Sequence, residues 1–537
     1  MKTRRQLFSI LVPAAFLAAA GCAKLGKLES VQVPRWEPRD FAFRSATPHA
    51  NPFLVPFSAV VRGPDGAEFK TPGFYDGDGT WKVRVSANKE GQWTLRTECE
   101  DPALDGRRAS FTCVKNPHPN QHGGLRVDPQ RPYHFVFEDG ARYFAMGYEC
   151  DWLWALDLSP AGGNPNLPTL KPFLDKLGAH GFNFVILNTY AHDTSWMPGK
   201  TGPDDYGPPA IFAWEGANEK PDHERFNLEF WRHYDRVIRA MHERNMQAHV
   251  LVKVFNKMVK WPAWGSPQDL LFTRWVYARY SAYPNVIFDF SKEAYYRKNE
   301  RDYKLEHLKF MRSLDGYGRL LTVHDDKELY NSGAYDGLLS FVTDQQHSSY
   351  HDTILKQRAR HAWPIVNAEF GYECGPGGVE DKTYGADLPE ENYLRAWEVC
   401  MAGGYIAYYY TYTAWDVVRP LDTPPGYAMH KHLRDFFEGA GYWRMNSADA
   451  LVSAGYCLAD PGKEYVAYQK AAKPFTLEVK GASGPLKVRW YSPLSGESAD
   501  GGAVGNGPAS LTPPKGWENG PVAVHVGAAV TGNAAGR

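Results

Sequence analysis

Apolar runs alternate with amphipathic segments through the middle of the chain. Eight of the runs have the length and the β-branched or aromatic content of strands, and patterns of helical period separate most of them. The predicted strands begin at Tyr143, Phe184, Ala248, Val286, Leu320, Gly337, Pro364 and Tyr405. Eight strands alternating with helices over roughly 300 residues are typical of a (β/α)₈ TIM barrel, with a doubly wound sheet as the alternative.

Two of the helical patterns carry clear start signals. Asn227 is a favourable N-cap, and apolar residues recur behind it at three- and four-residue steps. Ser266 is followed by a proline at the first helical position and by Asp269 at the third, which is a typical helix start.

Short strand-like runs separated by turn residues flank the barrel on both sides. They predict an α/β fold class in which β-sandwich domains precede and follow the barrel. The predicted divisions are an export signal at 1–21, a linker at 22–30, an N-terminal sandwich at 31–127, the barrel at 128–441, a C-terminal sandwich at 442–525 and a flexible tail at 526–537.

The first residues have the layout of an export signal, with a basic start, an apolar run over residues 7–20 and small residues before Cys22. The apolar run is too short for a membrane span. The small residues resemble a bacterial lipobox, which predicts lipidation of Cys22 and a periplasmic or outer-membrane lipoprotein. An ordinary cleaved signal is the alternative, and Arg4-Arg5 leaves the twin-arginine and general export routes both open.

Composition and charge limit the classes of partner and cofactor that the chain is expected to bind. A net charge of -1 gives no field to attract polyanions, which argues against nucleic acid as the main partner. The 17 tryptophans and 31 tyrosines suit stacking on sugars, although large cores also use aromatic residues. The 7 cysteines show no metal-ligand spacing, so no metal or other cofactor is expected. Cys99 and Cys113 either form a bridge or are two separate thiols.

Two glutamates follow predicted strands at the positions where a TIM barrel carries its chemistry. Glu293 comes after the fourth strand and Glu369 after the seventh. Such a pair approaches to about 5–5.5 Å in retaining glycosidases, where one carboxyl is the acid/base and the other is the nucleophile. The sequence predicts Glu293 as acid/base and Glu369 as nucleophile. The alternative is that each is a rim glutamate paired with a neighbour.

Other polar and aromatic residues also stand at or near strand ends. Their types suit hydrogen bonds to sugar hydroxyls, with Trp415 as a stacking surface, although each also fits a satisfied rim residue. The predicted substrate-binding residues are Glu149, Asp151, Trp152, Asn188, Lys292, His324, Gln346, His347 and Trp415.

Several segments together resemble the apiosidase-like branch of clan A glycoside hydrolases. The barrel pieces are RYSAYPNVIFDFSKEA, LLTVHDD and WPIVNAEFGYE, and the stretch FYDGDGTWKVRVSANKEGQWTLRT is similar to the immunoglobulin-like module that often precedes such barrels. The resemblance implies the acid/base role for Glu293 and the nucleophile role for Glu369. Many clan A enzymes have asparagine before the acid/base, whereas this chain has Lys292, which would either bind an anionic sugar or lower the pKa of Glu293.

These observations predict an exported, retaining glycoside hydrolase acting on plant or microbial polysaccharides or oligosaccharides, with a lipid anchor as its contact with the membrane. One alternative is a surface glycan-binding lipoprotein that has lost catalysis. The other is an inverting glycosidase on the same barrel, which requires carboxyls about 6.5–9.5 Å apart.

Overall fold

The computed structural model describes residues 31–191, 211–325, 333–375, 387–413 and 417–527. The predictions for the export signal, the linker, Cys22, Trp415 and the tail beyond residue 527 lie outside these ranges. Within the described ranges, no helix combines the length and the apolar character that crossing a bilayer requires.

Eight parallel strands close into a barrel, which confirms the predicted (β/α)₈ fold. The strands are Met146–Glu149, Phe184–Asn188, Gln247–Val254, Val286–Lys292, Leu321–Asp325, Val342–Asp344, Ile365–Asn367 and Tyr405–Tyr409. The first strand pairs with the second through Gly147 and Phe184, and with the eighth through Met146 and Ile406. Strands covered on both faces in this way are read as near-continuous apolar runs, which is why the sequence pattern locates them.

Two barrel strands begin three or more residues later than the apolar pattern predicts. Tyr143 belongs to a separate three-stranded sheet made of Leu125–Val127, Phe135–Phe137 and Arg142–Tyr143. The sixth barrel strand begins at Val342 rather than Gly337, because the backbone before it turns. Leu338 and Leu339 of that turn pack in or against the main hydrophobic core without belonging to the strand.

Seven α-helices lie in the described ranges, and the two predicted starts are confirmed. The Asn227 side chain accepts a hydrogen bond of 3.1 Å from the Glu229 amide, and Ser266 accepts one of 3.2 Å from the Asp269 amide. Side-chain caps of this kind each contribute about 1 kcal/mol to the stability of the helix or the protein. The helices are α1 (Leu170–Ala179), α2 (Leu228–His242), α3 (Pro267–Tyr280), α4 (Glu300–Leu314), α5 (Tyr350–Arg358), α6 (Pro389–Met401) and α7 (Gly426–Gly439).

The region before the barrel folds into two sheets around a core that includes Trp81, Trp93 and Phe111. The five-stranded sheet has the order Val31–Pro34, Arg108–Val114, Gly91–Cys99, Phe57–Arg62 and Glu68–Pro72. The three-stranded sheet has the order Arg39–Arg44, Thr80–Val85 and Phe74–Tyr75.

Cys99 and Cys113 are separate thiols. Cys113 pairs with Gly91 across the sheet, and Cys99 lies at the other end of the strand Gly91–Cys99. At about 3.4 Å per residue, this offset places the two cysteines roughly 27 Å apart, far beyond the reach of a disulfide. The structure therefore excludes the bridge.

The region after the barrel also consists of two sheets, with a hydrophobic core of its own that includes Tyr465 and Trp490. The six-stranded sheet has the order Asn446–Ser447, Tyr456–Asp460, Glu464–Gln469, Val522–Gly527, Leu486–Tyr491 and Ser498–Val504. The second sheet pairs Phe475–Val479 with Gly507–Leu511.

A buried ion network joins the N-terminal sheets to the barrel. Arg84, on the strand Thr80–Val85, contacts Asp40 at 2.6 Å and Asp235 of α2 at 3.1 Å. Arg279 of α3 contacts the same Asp235 at 2.6 Å and lies 3.4 Å from Asp76. The two arginine side chains are only 5% and 1% exposed, and each has two carboxylate partners.

Candidate active site

The carboxyl ends of the barrel strands bring a cluster of buried charges together. In a closed parallel barrel all of these ends open on one face, so residues distant in sequence meet there. The first strand delivers Glu149 and is followed by Asp151, the fourth ends at Lys292, and the fifth carries His324. Glu293 and Glu369, predicted as the catalytic pair, follow the fourth and seventh strands and are 7% and 4% exposed.

Gln345 fixes the spacing of the two glutamates. Its side-chain amide nitrogen lies 3.3 Å from Oε1 of Glu293 and 2.7 Å from Oε1 of Glu369. Because those distances total 6.0 Å, the two carboxyl oxygens lie no farther apart than that.

Glu369 is surrounded by hydrogen-bond donors. The ammonium of Lys292 lies 2.8 Å and Nε2 of His324 lies 3.0 Å from its Oε1, while the hydroxyl of Tyr372 donates to Oε2. Burial favours protonation, yet the attraction of Lys292 and the hydrogen bond from His324 hold the pKa of Glu369 well below its usual value. Glu369 is therefore an oriented carboxylate.

Glu293 lies in a different environment. Burial, reinforced by repulsion from Glu369, raises the pKa of Glu293. Its backbone adopts the left-handed region with φ 56°, an uncommon conformation for a non-glycine residue, and its amide donates to the His324 carbonyl at 3.1 Å. Its Oε2 has no hydrogen-bond partner among the described residues. The carboxyl is thus suited to hold a proton and to release it.

The charge of Lys292 is paired with carboxylates inside the site. Besides Glu369 it contacts Glu149, and it lies 4.0 Å from Asp151. Burial disfavours its charge, but the attraction of Asp151, Glu149 and Glu369 raises its pKa well above the usual value. Burial also raises the pKa of Glu149 to about 8 against the attraction of Lys292. Because its charge is used inside the site, the structure gives no support to the expectation that Lys292 binds an anionic sugar.

Asp151 is held by two groups that the sequence analysis did not identify. Lys257 lies 3.2 Å from its carboxylate, and the hydroxyl of Tyr409 donates to it at 3.0 Å. Burial raises the pKa of Asp151, but Lys257 and Lys292 outweigh burial and lower it. Lys257 lies in the loop after the third strand, where no periodicity marks it.

The sixth strand places Gln345, not the predicted Gln346, against the catalytic pair. Gln346 is 2% exposed and its side chain donates instead to Asp344 at 3.1 Å. Gln345, which the sequence analysis did not single out, is therefore the glutamine that contacts both glutamates, and substrate binding by Gln346 stays a prediction. A one-residue shift reverses the direction of a side chain along an extended chain.

Three other predicted binding residues take different positions. Trp152 is fully buried, with its indole donating to the Ala191 carbonyl at 3.0 Å and the Lys257 ammonium 5.3 Å from its ring. Asn188 is also fully buried, and its oxygen accepts from the Trp154 indole at 2.9 Å. The Trp152 indole is thus satisfied by the protein, whereas Nδ2 of Asn188 has no hydrogen-bond partner among the described residues. His347 is exposed on the rim, with its ring 6.4 Å from that of Tyr372.

Three buried carboxyl oxygens of the site lack a hydrogen-bond partner among the described residues. They are Oε2 of Glu149, Oδ1 of Asp151 and Oε2 of Glu293. A buried acceptor left unpaired costs about 1–3 kcal/mol. A ligand rich in hydroxyl groups would satisfy these oxygens.

Comparisons with known proteins match both the barrel and the N-terminal region. Residues 131–458 match the family described as "Apiosidase-like, catalytic domain", and residues 32–100 match the one described as "Domain of unknown function (DUF5060)". No curated protein matches the chain.

Two solved structures from Bacteroides vulgatus ATCC 8482 share the fold. One, described as a putative glycoside hydrolase, has 18% identity and a TM-score of 0.75, covering 93% of this chain and 100% of its own. The other, described as a glycoside hydrolase family 5 protein, has 18% identity and a TM-score of 0.58, covering 77% of this chain and 95% of its own.

Proposed function

The chain belongs to the apiosidase-like family of glycoside hydrolases, and from that premise we propose that it cleaves plant or microbial polysaccharides or oligosaccharides with retention of anomeric configuration. Glu369 is the nucleophile and Glu293 is the acid/base.

The observation that carries the proposal is the position of Gln345 between the two glutamates. The resulting limit of 6.0 Å between their Oε1 atoms suits the spacing of about 5–5.5 Å in retaining enzymes and leaves little room for the water of an inverting mechanism. The opposite pKa shifts of the two carboxyls support the same assignment.

In the first step the Glu369 carboxylate attacks the anomeric carbon and forms an ester, while Glu293 gives its proton to the glycosidic oxygen and the bond to the leaving sugar breaks. The ester removes the negative charge that helps to raise the pKa of Glu293, so this pKa falls. In the second step Glu293 takes a proton from water, which attacks the anomeric carbon and releases Glu369.

The unpaired oxygens of Glu149 and Asp151 support a carbohydrate substrate, because sugar hydroxyls can donate to both. Lys257 and Tyr409 orient Asp151 for this contact. His324 and Tyr372 orient Glu369 for in-line attack.

The test is a screen of the chain from Cys22 onward against aryl glycosides and plant and bacterial polysaccharides, with Glu369→Gln as control. We expect the wild type to release sugar whose first-formed anomer, followed by NMR, matches that of the substrate, and we expect Glu369→Gln to release none. An inverted product would overturn the mechanism. Binding without release by both proteins would favour a glycan-binding role.

We also propose an exported lipoprotein anchored through Cys22. The basic start, the apolar run and the small residues before Cys22 support it. Radiolabelled palmitate should be incorporated into the wild type and not into Cys22→Ser, and equal labelling of the two would contradict the proposal.

A further inference from the structure

Two neighbouring tyrosines stand exposed beside the acid/base. Tyr295 and Tyr296 belong to the short 3-10 helix Ala294–Tyr296 and are 40% and 61% exposed. No other phenylalanine, tryptophan or tyrosine in the described part of the chain is as exposed. Apolar surface left in water forgoes about 25 cal/mol per Å², so an exposed aromatic pair beside a reaction centre indicates a ligand surface.

The backbone holds this pair on the rim of the barrel. The left-handed conformation of Glu293 turns the chain out of the fourth strand, and the Tyr296 amide donates to the Glu293 carbonyl at 3.2 Å. After the turn, the Arg297 guanidinium lies 4.4 Å from the Tyr303 ring centroid and 5.0 Å from that of Phe255. The two tyrosines are thus held in place two and three residues after Glu293 along the chain.

The two rings form a small platform. Their centroids are 4.7 Å apart and their planes are inclined by 42°, so the half-buried Tyr295 supports the more exposed Tyr296. Burial, with repulsion from the charge of Glu293, raises the pKa of Tyr295.

We propose that Tyr296, supported by Tyr295, is the stacking surface for the sugar on the leaving-group side of the scissile bond. The proposal rests on the acid/base role of Glu293. A group that protonates the glycosidic oxygen must face the leaving sugar, and these two rings belong to the short helix that begins directly after Glu293. Aromatic faces pack against the apolar faces of sugar rings, and binding energy gained there helps to lower the barrier at the reacting bond.

The experiment compares two substrates that differ only on the leaving-group side. The first is whichever hexasaccharide of arabinan, xylan, mannan or rhamnogalacturonan the wild type cleaves fastest. The second is the glycosyl fluoride of the sugar transferred from it, whose leaving group is too small to reach Tyr296. The variants are Tyr296→Ala, Tyr296→Phe, which keeps the ring, and Leu421→Ala, which removes an 89% exposed apolar side chain after the eighth strand.

We expect Tyr296→Ala to lose about tenfold more kcat/KM on the hexasaccharide than on the fluoride. Tyr296→Phe and Leu421→Ala should keep the wild-type ratio. Equal losses on both substrates, or none on the hexasaccharide, would overturn the platform and leave the proposed hydrolysis standing.

Binding measurements distinguish a failure of the stacking proposal from a failure of the proposed hydrolysis. If the wild type releases no sugar, the proposed function fails, and calorimetry with the same four hexasaccharides still decides the platform in the Glu369→Gln background. A Kd about tenfold weaker with Tyr296→Ala supports stacking. An unchanged Kd overturns it, and absence of binding to all four overturns both proposals.

Discussion

Two buried ion networks in this molecule are built from the same chemical groups and have different properties. One joins the N-terminal sheets to the barrel around Asp235, and the other occupies the carboxyl end of the barrel around Lys292. Both place cations and carboxylates together where water has little access.

In the network around Asp235, which joins the N-terminal sheets to the barrel, every pKa shift that is resolved favours the charged form of its group. Burial would protonate Asp235, but Arg279 and Arg84 hold its pKa well below the usual value. Burial also opposes the charge of Arg84, and Asp235 more than compensates. Each charge in this network is paired, so removing one partner would leave a buried charge with fewer partners and destabilise the interface.

At the barrel mouth identical groups are shifted in opposite directions. Glu369 has Lys292 at 2.8 Å and is ionised, whereas Glu293 has no ion pair among the described residues and holds its proton more tightly. Incomplete pairing costs stability, yet it creates one carboxylate and one acid within 6.0 Å. The comparison teaches that the number of charged partners around a group, more than its burial, distinguishes a structural ion network from a reactive one.

Among variants that keep the Glu369 carboxylate, the largest effect on turnover is expected from Glu293→Gln, which removes the proton and keeps the shape. Hydrolysis of oligosaccharides should fall by about 10²–10⁴-fold. Aryl glycosides with good leaving groups should lose much less in the first step, because their departure needs no proton, and the glycosyl-enzyme should accumulate. Burst kinetics on the two substrate types measure this.

The matched control is Glu373→Gln. Glu373 is also buried, but Tyr408 donates to it at 2.8 Å and the Gly426 amide at 3.3 Å, outside the catalytic cluster. A glutamine keeps one oxygen to accept from the Gly426 amide, and its amide nitrogen can donate to the Tyr408 hydroxyl in place of the second carboxylate oxygen, so turnover should change little. Equal losses on both substrate types for Glu293→Gln would contradict its role as acid/base.

A smaller effect is expected from Lys292→Met, which removes the cation that separates the two pKa values. The attraction of Lys292 lowers the pKa of both Glu369 and Glu293, so its loss raises both. Activity requires ionised Glu369 and protonated Glu293. Both limbs of the profile of kcat/KM against pH should therefore move to higher pH, and the maximum should fall by about 10²-fold.

Lys292→Arg serves as the comparison for that variant, since it retains the charge and changes only its geometry. Its pH profile should stay close to that of the wild type even where its rate is lower. A downward shift of the alkaline limb in Lys292→Met would show that the cation does not act on Glu293 as described.

The sequence located the fold more completely than the site. Strands buried on both faces appear as apolar runs, so the barrel could be found, and the SKEA and NAEFGYE segments predicted the family that the match over residues 131–458 confirms. Glu293 and Glu369 were found because each directly follows such a run. Their catalytic roles stay predictions.

The missed and misplaced residues depend on side-chain direction, which apolar patterns do not encode. The turn before Val342 shifted the start of the sixth strand from the predicted Gly337, and Gln345, which contacts Glu369, was not predicted. Lys257 lies in a loop. For Trp152, a position near a strand end did not reveal that the Ala191 carbonyl already accepts from its indole, and sugar binding by Trp152 stays a prediction.

The smallest effect on turnover is expected where pairing is complete. Asp235→Asn removes the carboxylate that Arg84 and Arg279 share and leaves each arginine with one carboxylate partner, Asp40 or Asp76. Breaking buried pairs in this way costs up to roughly 3–5 kcal/mol of unfolding free energy. The kcat of the folded enzyme at 25 °C should stay within about twofold of wild type, because no reacting group is touched. Urea unfolding and steady-state rates on the same preparation measure both quantities.

The control is Asp435→Asn, which breaks the exposed pair between Lys431 and Asp435 and should cost less than about 1 kcal/mol of unfolding free energy. If Asp235→Asn instead lowered kcat as strongly as Lys292→Met without changing the urea midpoint, the two networks would not differ in the way that their pairing implies.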